Sequence, residues 1–386
     1  MKLKPVGFFI ITGIFLSCLT FSAYGSYQLI QLTNNDVDDK SPLIDGTNVV
    51  WSGLNGTAYD LYFHNGSSTT NISNTAFDDQ EPYIQDNKVA WYGGTTTNEW
   101  QIYYYNGTST QMIPSDSRSE RSPAIDGNTI VWHSGSSAPV QEIYIYNGTA
   151  STRLTYDSTG DRRPKIDGNN VVWYGMNEGS DWEIMHYNIS SGVTTPLTND
   201  SLSDTIVHIS GDYIAWSKED LTVANDREIY LYNLAQGGSA VQISNTSYDA
   251  LEHIINDDYI VWYASDGTDE EIFVHHIPSE LTTTLTSNIL NDRNPFVADG
   301  SLVWQQYDGS DWEIFLYDFT TQQTVQLTDN EFDDTNPKIS MNTIVWQGWD
   351  GSDNEIFMAT QVPEPLTVFM LCAGIASLLF RKFLKK

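Results

Sequence analysis

The chain has 386 residues and sets 18 Lys and Arg against 50 Asp and Glu, a formal charge of −32. Aromatic residues make up 13 %, with 12 Trp and 22 Tyr, which marks a folded protein and not a disordered acidic tail. Acidity of this strength opposes binding to nucleic acid or to an anionic membrane surface, because the phosphates would be repelled.

Residues 1–25 read as an export signal. Lys2 and Lys4 precede an apolar run from Val6 to Phe21, and Ala23-Tyr24-Gly25 is a small-x-small cleavage site before Ser26. A retained membrane anchor is the alternative. Cysteine use agrees with export. Cys18 lies in the leader and Cys372 near the other end, so residues 26–361 hold no disulfide, thiol nucleophile or thiolate metal site.

Residues 26–361 repeat one unit. Trp51, Trp91, Trp132, Trp173, Trp216, Trp262, Trp304 and Trp346 each end a β-rich triplet, at spacings between 40 and 46 residues. Each unit offers four short strands separated by turn residues. Strand a follows a proline, as in Pro42-Leu43-Ile44, and a turn such as Asp45-Gly46 leads into strand b, which carries the tryptophan. A second turn leads into strand c, such as Glu313-Ile314-Phe315-Leu316-Tyr317, and strand d is Thr-rich. No window shows helical periodicity.

Four strands in about 42 residues, repeated, is the pattern of a β-propeller blade. The expected fold is therefore all-β: an eight-bladed propeller of four-stranded antiparallel blades. The blades run over approximately 40–73, 80–114, 121–155, 162–198, 205–244, 251–286, 293–328 and 335–360. The eighth unit lacks strand d. Tyr27-Gln28-Leu29-Ile30-Gln31-Leu32-Thr33 matches that strand, so residues 27–33 are expected to pair with the last blade and close the ring. The repeats resemble the TolB-like, WD40-like propeller family over residues 27–360. The resemblance implies a fold and no reaction, since propellers host enzymes, receptors and scaffolds.

The carboxyl end has three parts: Val362-Pro363-Glu364-Pro365, an uncharged stretch from Leu366 to Phe380, and the basic residues Arg381, Lys382, Lys385 and Lys386. As a helix the stretch would span about 22 Å, short of the roughly 30 Å hydrocarbon core. This order resembles the PEP-CTERM sorting signal. It implies processing by an exosortase-type membrane peptidase, membrane contact through residues 362–386 before processing, and delivery to the envelope, surface or extracellular matrix. A plain C-terminal anchor is the alternative.

Several residues are candidates for chemistry. Asp39, Asp79, Glu120, Asp161, Asp292 and Asp334 stand three before the strand-a proline, and the b–c turns add Asp266, Asp269, Asp308, Asp311, Asp350 and Asp353, with Glu178 and Asp181 in blade 4. All would share one face, giving an acidic ring at a channel mouth. Loop carboxylates and carbonyls suit Ca²⁺; turn formation by Asp explains them equally. His208 and His253 fall in strand a of blades 5 and 6 and are expected to face the channel together. Trp100, Trp182, Trp312 and Trp349 flank the b–c turns, where they would stack sugar rings or pad blade edges. The leading reading is a non-enzymatic exported module binding a polysaccharide, cations or an envelope protein. The alternatives are a metal-dependent polysaccharide lyase or hydrolase using His208 and His253, and a purely structural surface protein.

Overall fold

The computed structural model describes residues 27–96, 99–115, 119–135, 141–156, 158–220 and 226–362. Residues 1–26 and 363–386, where the leader and the sorting signal are expected, lie outside them. Among the described residues no helix is long and apolar enough to cross a membrane.

Three consecutive apolar residues in each strand b decide the architecture. Side chains alternate across a strand, so a run such as Val49-Val50-Trp51 is apolar on both faces and both must be covered. All three are 0–1 % exposed. The cover comes from neighbouring blades, since the chain forms eight four-stranded antiparallel sheets, each ordered a-b-c-d in sequence except the last. Blade 1 comprises Asp39–Asp45, Asn48–Asn55, Ala58–His64 and Thr69–Asn71, and the others repeat it. The one helical element among the described residues is a 3-10 turn, Ile277–Ser279. Strand d is exposed, as its Thr-rich composition requires.

Each strand-b tryptophan packs against the preceding blade. Trp91 lies against Val50, Leu61 and Phe63, and Trp304 against Val261, Ile272 and Val274. The indoles also stack on the aromatic residue opposite them in strand c, at 5.6–6.2 Å between centroids, in every blade but the fourth, which has Met185 there. Trp51 of blade 1 packs on Val345 and Ile356 of blade 8, so the circle is complete.

Blade 8 takes its fourth strand from the other end of the chain. Tyr27–Gln31 lies beside Asn354–Gln361, beyond Thr343–Trp349 and Asp334–Ser340. Leu32 and Thr33 both donate their N–H to the Ile356 carbonyl. The Thr33 hydroxyl bonds Glu355 and accepts the Ile356 N–H, and Asn35 donates to Glu355 Oε1 at 2.6 Å.

Strand a begins three residues earlier than the proline pattern suggests. In blade 1 it starts at Asp39 and passes through the proline on a bulge, where register shifts between Lys40 and Leu43. Ser41 at the bulge has φ of 54°, and Glu81, Ser122, Arg163, Ile206, Glu252, Asn294 and Asn336 repeat this left-handed backbone in the other blades. Bulges turn a strand and add twist, which feeds strand a into the narrow centre of the ring. Ile206 is the costly member, because a β-branched side chain crowds its own backbone at positive φ. Blades 7 and 8 use Asn there, which tolerates it. Ile206→Asn should raise stability by about 1 kcal/mol, read as a higher urea midpoint at unchanged slope; an unchanged or lower midpoint would refute the strain.

Candidate functional site: the axial channel and its carboxylates

Strand a of every blade contributes to a central cavity of about 880 Å³. Side chains two residues after the bulges line it, among them Leu43, Tyr83, Lys165, His208, Phe296 and Lys338. Each lysine lies near an aromatic face, the Lys165 Nζ 5.4 Å from the Tyr83 ring and the Lys338 Nζ 5.0 Å from that of Phe296. Both lysines are half-buried in the wall of the channel. Desolvation lowers the Lys165 ammonium, with Glu81 opposing, and takes Lys338 down to about 8, with Glu252 opposing.

His208 and His253 do come together at the channel. Their rings meet edge to face at 5.2 Å, and the His253 Nδ1 shares a hydrogen bond with the Ser217 hydroxyl at 3.3 Å. Burial pushes both imidazoles toward the neutral form, His253 to about 4, and His208 is depressed further by His253 and Lys165. Neutral imidazoles can bind a metal. Among the described residues, however, no third His or carboxylate ligand atom groups with this pair.

At the a–b end of the channel, turn side chains stitch blade to blade. Asp126 accepts the Gly168 N–H, Asp167 the Gly211 N–H and Asp299 the Met341 N–H, at 2.6–2.7 Å. Asp45 likewise bonds the Asp86 N–H, and Ser340 accepts from Gly46 across the closure. These carboxylates belong to the a–b turns, which sequence reasoning passed over as ordinary hairpins.

The expected ring of strand-a acids at the other mouth takes a different form. Asp39, Asp79, Glu120, Asp161, Asp292 and Asp334 are 0–4 % exposed and do not line a mouth. Five of them accept the indole N–H of their own blade's tryptophan at 2.7–2.9 Å: Asp39 from Trp51, Asp79 from Trp91, Asp161 from Trp173, Asp292 from Trp304 and Asp334 from Trp346. Asp204 does the same for Trp216. A buried N–H needs an acceptor, and the acid supplies it at the cost of its own desolvation. That desolvation raises Asp79, Asp204 and Asp334 to about 6. Glu120 departs from the pattern and accepts the Ile102 N–H of blade 2, while the Trp132 indole has no acceptor among the described residues. In blade 6 the position is Ala250 and the Trp262 indole also lacks one. The signal was in the sequence: the acid and the tryptophan stand twelve apart in every blade that has the pair. The doubled acids do something else again. Asp38, Asp78 and Asp333 accept N–H groups of Asn354, Tyr59 and Trp312, at the start of strand c in the preceding blade.

Three of the four turn tryptophans are half-buried against a tyrosine and an arginine. Trp100 meets Tyr92 and Arg121, Trp182 meets Tyr174 and Arg162, and Trp312 meets Tyr307 and Arg293. Trp349 is exposed.

Neither a family model nor a curated protein sequence matches this chain. Solved structures do. The computationally designed Ika8 protein is similar at a TM-score of 0.58 and 13 % identity, over 84 % of this chain and 98 % of that one. The β-propeller domain of the trilobed protease from Pyrococcus furiosus gives 0.52 and 12 %, over 74 % and 95 %. An oligogalacturonate lyase in complex with manganese gives 0.55 and 10 %, over 89 % and 95 %. At these identities the likeness establishes the architecture, an eight-bladed β-propeller, and nothing narrower.

Proposed function

We propose that this is an exported, non-enzymatic propeller of the TolB-like, WD40-like kind that binds an acidic polysaccharide segment in its axial channel. The observation that carries the reading is the pair of channel lysines, each near an aromatic ring, in a cavity of ligand size within an otherwise strongly acidic protein. Aromatic faces suit the apolar faces of sugar rings, ammonium groups suit uronate carboxylates, and the channel carboxylates accept sugar hydroxyls. Calorimetry with uronic-acid oligosaccharides and their neutral counterparts tests this. Lys165→Gln and Lys338→Gln should each weaken acidic-ligand binding about tenfold, the loss of one charge-assisted hydrogen bond. Equal affinity for neutral oligosaccharides, or no response to either substitution, would refute it.

The His208–His253 contact favours a second reading, a metal-dependent polysaccharide lyase, and one similar structure is described as an oligogalacturonate lyase with manganese. That reading needs a third ligand from substrate or water. It requires chain cleavage with Mn²⁺ that His208→Ala abolishes; intact oligosaccharide after incubation decides for the binding module.

The leader 1–25 and the sequence 362–386 support an exported location at the envelope, surface or matrix and processing by an exosortase-type peptidase. The intact mass of protein recovered from its producing cells should correspond to a chain starting at Ser26 and lacking the basic tail; retention of both ends would refute export and sorting.

A further inference from the structure

Further acids gather at the b–c turns, and those of blades 6, 7 and 8 form three like groups. We propose that the b–c turns of blades 6, 7 and 8 are three equivalent Ca²⁺ sites, built from Asp266, Asp269 and Glu271, from Asp308, Asp311 and Glu313, and from Asp350, Asp353 and Glu355. In each group the three residues offer carboxylate oxygens within 4.8 Å of one another. Oxygens on opposite sides of a Ca²⁺ ion stand about 4.6–5.2 Å apart, twice the 2.3–2.6 Å bond, so one ion spans each group.

The turn holds the carboxylates before any ion arrives. Asp266 Oδ1 accepts the N–H groups of Thr268 and Asp269, and Asp308 and Asp350 repeat these bonds to Ser310 and Asp311 and to Ser352 and Asp353. The strand-c glutamate is fixed from the other side, its Oε1 accepting N–H of Asn288, Asn330 or Asn35 in the following loop. The middle aspartate is the telling member. Asp269, Asp311 and Asp353 are 8 %, 6 % and 8 % exposed. Among the described residues, neither carboxylate oxygen of Asp269 or Asp353 has a hydrogen-bond partner, and Asp311 Oδ1 has none. A buried carboxylate without a donor, set among further carboxylates, is unstable unless a cation completes it. Asp36, Asp38 and Asp39 add to the negative charge around Asp353, as Asp329 and Asp333 do around Asp311.

Blades 1 to 4 provide the internal comparison. Blade 1 has Asn55 at the first turn position and Ala58 at the middle one, and the Asn55 amide donates to the strand-c acid Asp60 at 2.7 Å. Blade 4 has Asn177 first, and its amide donates to Glu183 at 3.0 Å. In blade 3 the Arg153 guanidinium pairs with Glu142. Blade 2 replaces the acid with Gln101. These turns neutralise themselves with a proton donor or a fixed cation. Blades 6–8 place Asp where blades 1 and 4 place Asn, and an ionised carboxylate has no proton to donate. The sites are independent of any ligand in the channel.

The test is calorimetric titration of the full-length protein with CaCl₂ as the sole divalent cation, at physiological salt so that loose counterions are screened. Three equivalents should bind, with dissociation constants in the roughly 10⁻⁴–10⁻³ M range of extracellular modules, and the melting temperature should rise with Ca²⁺. Asp269→Asn, Asp311→Asn and Asp353→Asn should each remove one equivalent, and the triple variant all three together with the thermal response. Asp181→Asn in blade 4 should leave three. Should the triple variant fail to fold, the three single variants carry the decision. Absence of saturable binding by about 10 mM Ca²⁺, an order of magnitude above that range, or a stoichiometry the single substitutions leave unchanged, would overturn the proposal.

Discussion

Deleting residues 27–33 should destabilise the propeller by on the order of 5 kcal/mol and turn it into a self-associating species. The segment supplies the N–H groups of Leu32 and Thr33 to Ile356, the Thr33 hydroxyl to Glu355, and an acceptor for the Ile356 N–H. Each bond is worth roughly 1 kcal/mol net, and leaving the fully buried Glu355 short of a donor costs more than the bond itself. Leu32 also leaves the cluster in which Trp51 meets Val345 and Ile356. A domain is stable by about 5–15 kcal/mol in all, so the loss is a large share of the total. The strand Asn354–Gln361 would then be an open edge, ready to pair with another copy. Denaturant midpoints and size-exclusion chromatography read both effects. A deletion variant that is monomeric with an unchanged midpoint would mean that closure contributes nothing.

The second large effect is a pair of opposing pH dependences. His133 and His253 are held neutral by burial, at about 3 and about 4, below the ordinary value near 6.5. The unfolded chain therefore takes up protons first as pH falls, and their contribution, complete above about 6.5, is lost on the way down to 4 and 3. Asp79, Asp204 and Asp334 run the other way. Their folded values near 6 exceed the unfolded 3.8, so the folded state binds more protons between those limits, and stability falls as pH rises from about 4 to 6. The wild-type profile is expected to be shallow because the two sets cancel, and substitutions uncover them. His133→Gln should gain roughly 2 kcal/mol on the wild type between pH 7.5 and 5, since each tenfold difference in proton affinity between the folded and unfolded chain is worth about 1.4 kcal/mol. Asp79→Asn keeps an oxygen for the Trp91 indole and should gain roughly 1 kcal/mol in the opposite direction, from pH 5 to 8. Urea melts at three pH values check this; parallel profiles for both variants would refute the assignment.

The periodic tryptophans were enough to place strand b, because three apolar residues in succession require cover on both faces whatever the rest of the chain does. Closure was legible for a similar reason: a last unit without strand d and a first segment shaped like one leave little choice. The histidine pair was legible from the broken proline pattern in blades 5 and 6, although the two do not occupy equivalent positions: His208 stands two residues after the bulge residue Ile206 and His253 one after Glu252. Acids were harder. Sorted by loop, Asp39, Asp266 and Asp334 look alike, and turn preference explains each of them. Sorted by distance from the tryptophan they separate, twelve before it for the indole acceptor and four and seven after it for the turn carboxylates.

What the linear chain determined by itself was therefore periodicity, strand content and the means of closing the ring, because these follow from local alternation and from counting. What only the tertiary structure decided was which polar atoms have partners. Asp39 and Asp353 are the same residue type in neighbouring loops, yet one meets an indole and the other meets only carboxylates. That difference lies in the few ångströms between side chains of different strands and blades, where desolvation makes a partner compulsory, and spacing along the sequence does not record which partner is there.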